Sequence, residues 1–327
     1  MIIIPDRSIL RHSDPIGITS GLSGRFRIEA LKVDARGQPI EASRRVLADW
    51  FPNIITNAGL NRIGTNSDWL LACQVGTGTA TPLATDTGLA AFLAGSTTRQ
   101  DSVVGAQGSS PFFGWRRNTY RFAAGVGTGN LSEVGIGWAS TGATLFSRAL
   151  ILDGSGVPTV ITKLADEVLD VTYEFRCHPP VADTSGNITI TGSGTHAFVA
   201  RAANVTSGTT FWAAVANGQF AGPSSAGGLS RVYNGAIGAV TSEPAGSSAN
   251  IMSVALAAYS AGSFQRLGNF TLALNEGNLS DGIRSTRLLY GEGGGLGAFQ
   301  TEFTPPIAKT AANTLTLTTT HTWARRP

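Results

Sequence analysis

Residues 168–176 alternate strictly: Val168, Asp170, Thr172 and Glu174 fall on one side, and Leu169, Val171, Tyr173 and Phe175 on the other. A period of two places these sets on opposite faces of a sheet, one buried and one exposed. Residues 315–323 repeat the pattern, with Leu315, Leu317, Thr319, His321 and Trp323 on one face. The closing tract TLTLTTTHTW is too rich in β-branched residues to hold a helix. Residues 25–33 also alternate and run into Asp34-Ala35-Arg36-Gly37, which reads as a strand followed by a hairpin turn. Helical signals are confined to two short turns, residues 54–63 and residues 85–94, the latter with Thr85 or Asp86 as cap. Strands separated by turn signals predict an all-β protein, with a sandwich or small barrel in each half.

The chain also matches itself. GRFRIEALKV from Gly24 lines up with GTHAFVARAANV from Gly194. FPNIITNAGLNRIG from Phe51 lines up with FAGPSSAGGLSRVYNG from Phe220, which sets Gly59, Leu60 and Arg62 on Gly228, Leu229 and Arg231. Gly129-Asn130-Leu131-Ser132 returns as Gly277-Asn278-Leu279-Ser280, with Glu133 on Asp281. VPTVITKLADEVLDVTYEFR lines up with TPPIAKTAANTLTLTTTHTWAR, setting Phe175 on Trp323. Four blocks in one order predict a tandem duplication. The expected layout is two related antiparallel β-sandwich-like domains, 24–178 and 194–327. A Pro- and Gly-containing linker at 179–193 joins them, and residues 1–23 form an extended arm. Ile2, Ile3, Ile4, Ile9 and Leu10 on that arm need a partner surface, which makes them candidate assembly contacts.

Composition narrows the function. With 327 residues, each half is long enough for its own core. Only 14% of residues are charged and 41 are Gly, against about 25% charged in ordinary soluble domains. That balance suits a surface largely covered by neighbours, hence a homo-oligomer within a larger assembly. Net charge is +3 and the arginines are scattered along the sequence, so no nucleic-acid footprint is expected. No run of about 18 apolar residues supports a membrane span. MIIIPDRS lacks the basic start and long apolar core of a signal peptide. Cys73 and Cys177 are too few for a disulfide framework and read as buried thiols.

Catalytic and metal chemistry finds no sequence support. His12, His178, His196 and His321 lack ligand spacing. Cys177-His178 are neighbours on a strand, where side chains diverge. VGTGT at Val75 and GVGTGN at Gly125 do not continue as phosphate loops and read as turns. Asp166, Glu167 and Asp170 read as a solvated strand edge rather than a glycosidase pair. No catalytic residue, cofactor or metal is expected. Phe112, Phe113, Trp115 and Trp138 border Gly-rich sequence and are candidate binding-loop aromatics for a sugar or protein partner, with core packing as the plainer reading.

Four segments in order carry a likeness to a known class: FPNIITNAGLNRIG, CQVGTGTATPLATDTGL, GNLSEVGIG and LFSRALILDGSGVPTVITKLADEVLDVTYEFR. Across about residues 26–178 the chain resembles a module of tailed-bacteriophage virion proteins of the tail and tail-fibre kind. The resemblance implies a non-enzymatic virion component of the tail tip, baseplate or fibre. It would contact other virion proteins and take part in attachment to a host receptor or glycan. A capsid decoration or head-fibre protein shares the composition, and a tail-associated glycan-degrading enzyme is the alternative of another class.

Overall fold

The computed structural model describes residues 8–12, 14–206, 230–290 and 297–326. Strands dominate, and the expected all-β class is what the chain adopts. Ile2, Ile3 and Ile4, together with Phe220, Gly228 and Leu229 of the second-half matches, lie outside the described residues.

The chain forms two compact units that interleave in sequence. The N-unit holds Leu22–Val104, Trp115–Arg176 and Arg325–Pro327, and the C-unit holds Met1–Gly21, Gly105–Gly114 and Cys177–Ala324. The Ile16–Lys32 strand gives its first six residues to the C-unit and the rest to the N-unit. Ser8–Arg11 pairs in parallel with Asn313–Arg325, so this part of the expected arm is a strand of the C-unit, with Leu10 buried and Ile9 exposed. Of the stretch expected as a linker, Thr184–Ile190 is a strand paired with Gly194–Ala203. Ile188 and Ile190 supply the buried anchors that a free linker would lack.

In the N-unit one sheet runs in the order Arg45–Pro52, Ile16–Lys32, Glu167–His178, Gly114–Phe122, Arg99–Ala106. A second runs Ile54–Ile55, Leu145–Leu150, Glu133–Gly137, Ala72–Gly76, Phe92–Ser96. Trp69, Phe146, Phe175, Tyr173 and Phe26 form a linked aromatic core with centroid separations of 4.7–6.5 Å. Leu169, Val171, Tyr173 and Phe175, one of the two alternating sets, all point into it and are fully buried.

In the C-unit, Ser253–Leu256, Gln265–Leu272 and Asn313–Arg325 pair in that order. The second sheet there runs Thr184–Ile190, Gly194–Ala203, Gly297–Ile307, Ile283–Tyr290, Arg231–Tyr233, Ser248–Asn250. Phe270, Tyr290, Phe299, His321 and Trp323 fill its core.

Local details recur in the two units. Val126 N–H bonds to Ala123 O, and Glu276 N–H to Ala273 O, each at 3.1 Å. Each turn closes on a glycine of positive φ, Gly127 and Gly277. A buried lysine reaches a carbonyl of that turn in both units: Lys163 Nζ to Ala123 O at 3.3 Å, and Lys309 Nζ to Leu274 O at 3.4 Å. The turns that follow match as well, with Glu167 Oε2 accepting from Leu164 N–H and Asn313 Oδ1 from Thr310 N–H.

Helix is scarce because few segments have both a cap and free amides. Residues 57–62 form one, Asn57–Arg62, where Thr56 Oγ1 accepts from Gly59 N–H at 2.8 Å. The helical turn expected at residues 85–94 does not form. Glu133 takes the amides of Ala90 and Ala91, and Asp86 turns its carboxylate onto Leu83 N–H. The turn after residue 33 is as expected, with Asp34 Oδ1 accepting from Arg36 and Gln38 amides and Gly37 at φ +75°.

Candidate binding face and the anchored loop

Two arrangements in the N-unit gather polar side chains from distant parts of the sequence. The first is buried. Glu133, fully enclosed, accepts from the amides of Gly78, Ala90 and Ala91 at 2.7–3.0 Å and from Arg148 Nε at 2.9 Å. Arg148 also holds Asp86 Oδ2 at 2.6 Å and Ala80 O at 2.9 Å. Ser132 Oγ donates to Gly78 O. One carboxylate and one guanidinium thus pin the loop 77–91 at both ends and in the middle. Gly76 and Gly78 are required there, because a Cβ at either would meet Glu133 Oε1 within 2.7 Å. A pocket of ≈ 580 Å³ lies beside this loop, lined among others by Gln74, Asp86, Phe92 and Arg148. Its two charges are already paired with each other, so it offers no free acid or base.

The second arrangement lies on the outer face of the first N-unit sheet. Trp115, Arg117, Thr119 and Arg121 point outward from one strand, while Tyr120 and Phe122 point into the core. Across from them, Arg117 bonds Glu174, Thr119 Oγ1 meets Thr172 Oγ1 at 2.9 Å, and Arg121 grips Asp170 with two bonds of 2.7 Å. Glu174 also accepts from Arg25 Nε at 2.9 Å and Arg176 Nε at 2.6 Å. Arg44 reaches Asp170, and Arg45 grips Glu167 at 2.8 Å. Two tryptophans are layered among the cations: the Arg25 guanidinium lies 4.2 Å from the Trp50 ring centre, and Arg117 lies 4.5 Å from Trp115 and 5.5 Å from Trp50.

Burial pushes the Glu174 carboxyl up, but hydrogen bonds from Arg25, Arg117 and Arg176 outweigh it, and its pKa ends below the usual value. Glu167 behaves likewise: burial opposes ionisation, and Leu164 N–H and Arg45 overcome it. The outward set of 168–176 is therefore not a solvated edge. Asp170, Glu174 and neighbouring Glu167 are buried beneath arginines delivered by other strands.

The four candidate aromatics do not meet. Phe112 and Phe113 belong to the C-unit, where Phe113 packs 5.5 Å from His178. Trp115 is part of the arginine face, and Trp138 lies under Arg62 at 5.1 Å. Trp50, absent from the candidate set, is the second indole of the face; its position beside the strand that carries Arg25 is visible only once strands are paired.

Histidines and cysteines are held in structural roles. His12 Nδ1–H donates to Asp14 O at 2.7 Å, and its Nε2 accepts from Thr318 N–H at 3.0 Å. His196 joins Ser193 Oγ and Pro305 O, and His321 Nε2 meets Ser20 Oγ at 2.9 Å. Both cysteines are free and buried, and burial raises both thiol pKa values. Among the described residues no three His, Cys, Asp or Glu side chains gather as a metal site. No family model, curated protein or solved structure matches the chain.

Proposed function

We propose that the chain is a non-enzymatic structural component of a tailed-phage virion, a tail-tip, baseplate or fibre subunit. It assembles as a homo-oligomer with other virion proteins and takes part in attachment to the host. The observation that carries this reading is the convergence of the resembling segments on one lock. Gly76 and Gly78 come from VGTG, Asp86 from TDT, Glu133 from LSE and Arg148 from SRAL, and all five meet at the loop 77–91. Asp86, Glu133 and Arg148 thus hold a loop in shape, a structural use that leaves none of these three poised to donate or accept a proton from a substrate.

The recurrence of the lysine-braced turn, at Lys163 and at Lys309, supports reading the chain as a duplication. Counted from those lysines, Phe175 falls on His321 and Cys177 on Trp323, two buried pairs, in place of the match of Phe175 with Trp323.

Antibody or tag labelling of intact particles, viewed by electron microscopy, tests the assignment. Label at the tail end supports it. Label over the head makes the protein a capsid decoration instead, and purified particles without the chain remove the virion reading altogether.

A further inference from the structure

We infer that the outer arginine–tryptophan face of the N-unit binds an acidic polysaccharide, with carboxylates of the polymer on Arg25 and Arg117 and pyranose rings against Trp50 and Trp115. This takes up the attachment half of the proposed function and gives it a ligand class.

The first ground is how charge is layered. Glu174 has side-chain exposure of 1%, while the arginines around it, Arg25, Arg117 and Arg176, have 29%, 42% and 25%. Three cations on one anion leave a local charge of +2, and the anion is the inner layer. At Asp170, buried beneath Arg44 and Arg121, Arg44 is shared with Glu29 and the exposed Glu41, so the excess of guanidinium belongs to the Glu174 centre. Solvent therefore meets guanidinium groups at that centre, although the chain as a whole carries only +3.

Donor capacity is the second ground. Arg117 bonds Glu174 through Nε, and among the described residues its two Nη groups have no hydrogen bond. A guanidinium fixed at Nε and open at Nη presents a preorganised fork to a second carboxylate. Its guanidinium is held over Trp115 and Trp50, so little side-chain freedom is lost when that carboxylate arrives.

The third is shape. The groups lie on one face of a sheet, where Arg25 and Arg117 approach Glu174 from the strands on either side of its own, a row about 10 Å across at the usual strand spacing. A chain of linked uronates spans such a row, whereas a small ion would need an enclosing pocket. Indole faces suit the C–H face of a sugar ring.

The test uses the purified full chain, with polygalacturonate, neutral dextran and duplex DNA as probes in a titration at low and moderate salt. Polygalacturonate should bind and weaken as salt rises, and dextran should not bind. Arg117→Gln should weaken binding about tenfold, the worth of one charge-assisted contact. Trp115→Ala leaves the ion pairs standing and should also weaken it, while Arg284→Gln, in the C-unit, should leave it unchanged. Thermal unfolding of each variant separates lost binding from lost fold. The inference is overturned if polygalacturonate fails to bind, if dextran binds as well, if DNA binds tighter with the same sensitivity, or if folded Arg117→Gln and Trp115→Ala bind normally. None of these outcomes depends on where the protein sits on a particle, and none alters the result of labelling.

Discussion

Replacing Glu133 by alanine should cost far more than the removal of one exposed acid. Glu133 is fully buried and accepts three backbone amides and Arg148. Its loss leaves the enclosed Gly78 amide without an acceptor, a penalty of about 1–3 kcal/mol. The Ala90 and Ala91 bonds are only partly buried, so water recovers some of their share, and each counts for about 0.5–1 kcal/mol. Arg148 keeps Asp86 and Ala80 O, which limits the cost below the 3–5 kcal/mol of a fully broken buried pair. The total comes to about 4 kcal/mol. With a urea slope of about 2–3 kcal/mol/M, the unfolding midpoint of the N-unit should fall by roughly 1.3–2 M. Hydrogen exchange read by mass spectrometry should show peptides within 77–91 losing protection before the rest. Glu133→Gln keeps the volume and one acceptor oxygen, and should lose about half as much. The double variant with Arg148→Ala should be less destabilised than the two single costs added together, because the partners share one network. A loss below about 1 kcal/mol for Glu133→Ala, the range of ordinary surface changes, or unaltered exchange in 77–91, would refute the anchoring argument.

Three further outcomes are expected. Burial lowers the His12 pKa below 6.5, and its Nε2 must stay unprotonated to accept Thr318 N–H. The unfolded chain therefore takes up a proton first, so the stability His12 contributes is complete above pH 6.5 and is lost as pH falls through and below that value. Urea titrations between pH 7.5 and 5 should show this loss, and His12→Gln should flatten it. Gly59→Ala places a Cβ 2.3 Å from the Phe146 carbonyl oxygen, and thermal melts should show a loss of about 2–3 kcal/mol because backbone, not a flexible tip, must move. Cys73 and Cys177, buried with raised pKa values, should not react with a thiol reagent at pH 8 in the native state and should both react after unfolding; prompt native reactivity of either would contradict its burial.

How much of this could be read from residue order depends on the range of the contact. The strand at 168–176, the Asp34 turn and the helical turn within 54–63 are local, and pattern alone placed them. The fate of Asp170 and Glu174 is not local. Their covers, Arg121, Arg44, Arg117 and Arg25, lie 49 to 149 positions away. Arginines scattered in the sequence therefore become one face only when the strands pair, and the period-two rule could not tell solvent from a guanidinium layer. Only the start of the loop 77–91 was legible, as the turn at VGTGT; its end was expected as a helical turn, and its anchor, Glu133, is 55 residues from Gly78. In the C-unit the alternation at 315–323 was legible in the sequence, while the lysine-braced turn that recurs in both units appears only once the chain is folded.

The interleaving of the two units has a consequence for biosynthesis. The C-unit uses residues near the start of the chain, where Ser20 Oγ meets His321 and His12 meets Thr318, partners roughly 300 positions later. The N-unit has all its strands by residue 178 and lacks only the bonds of Arg325 to Ile55 O and Asn57. Translation at about 5–20 residues per second therefore leaves the earliest strand without its C-unit partners for tens of seconds. A ribosome stalled shortly before residues 318–321 would carry a nascent chain whose C-unit is unfinished, and the strand left waiting is the natural place for a holding chaperone to act.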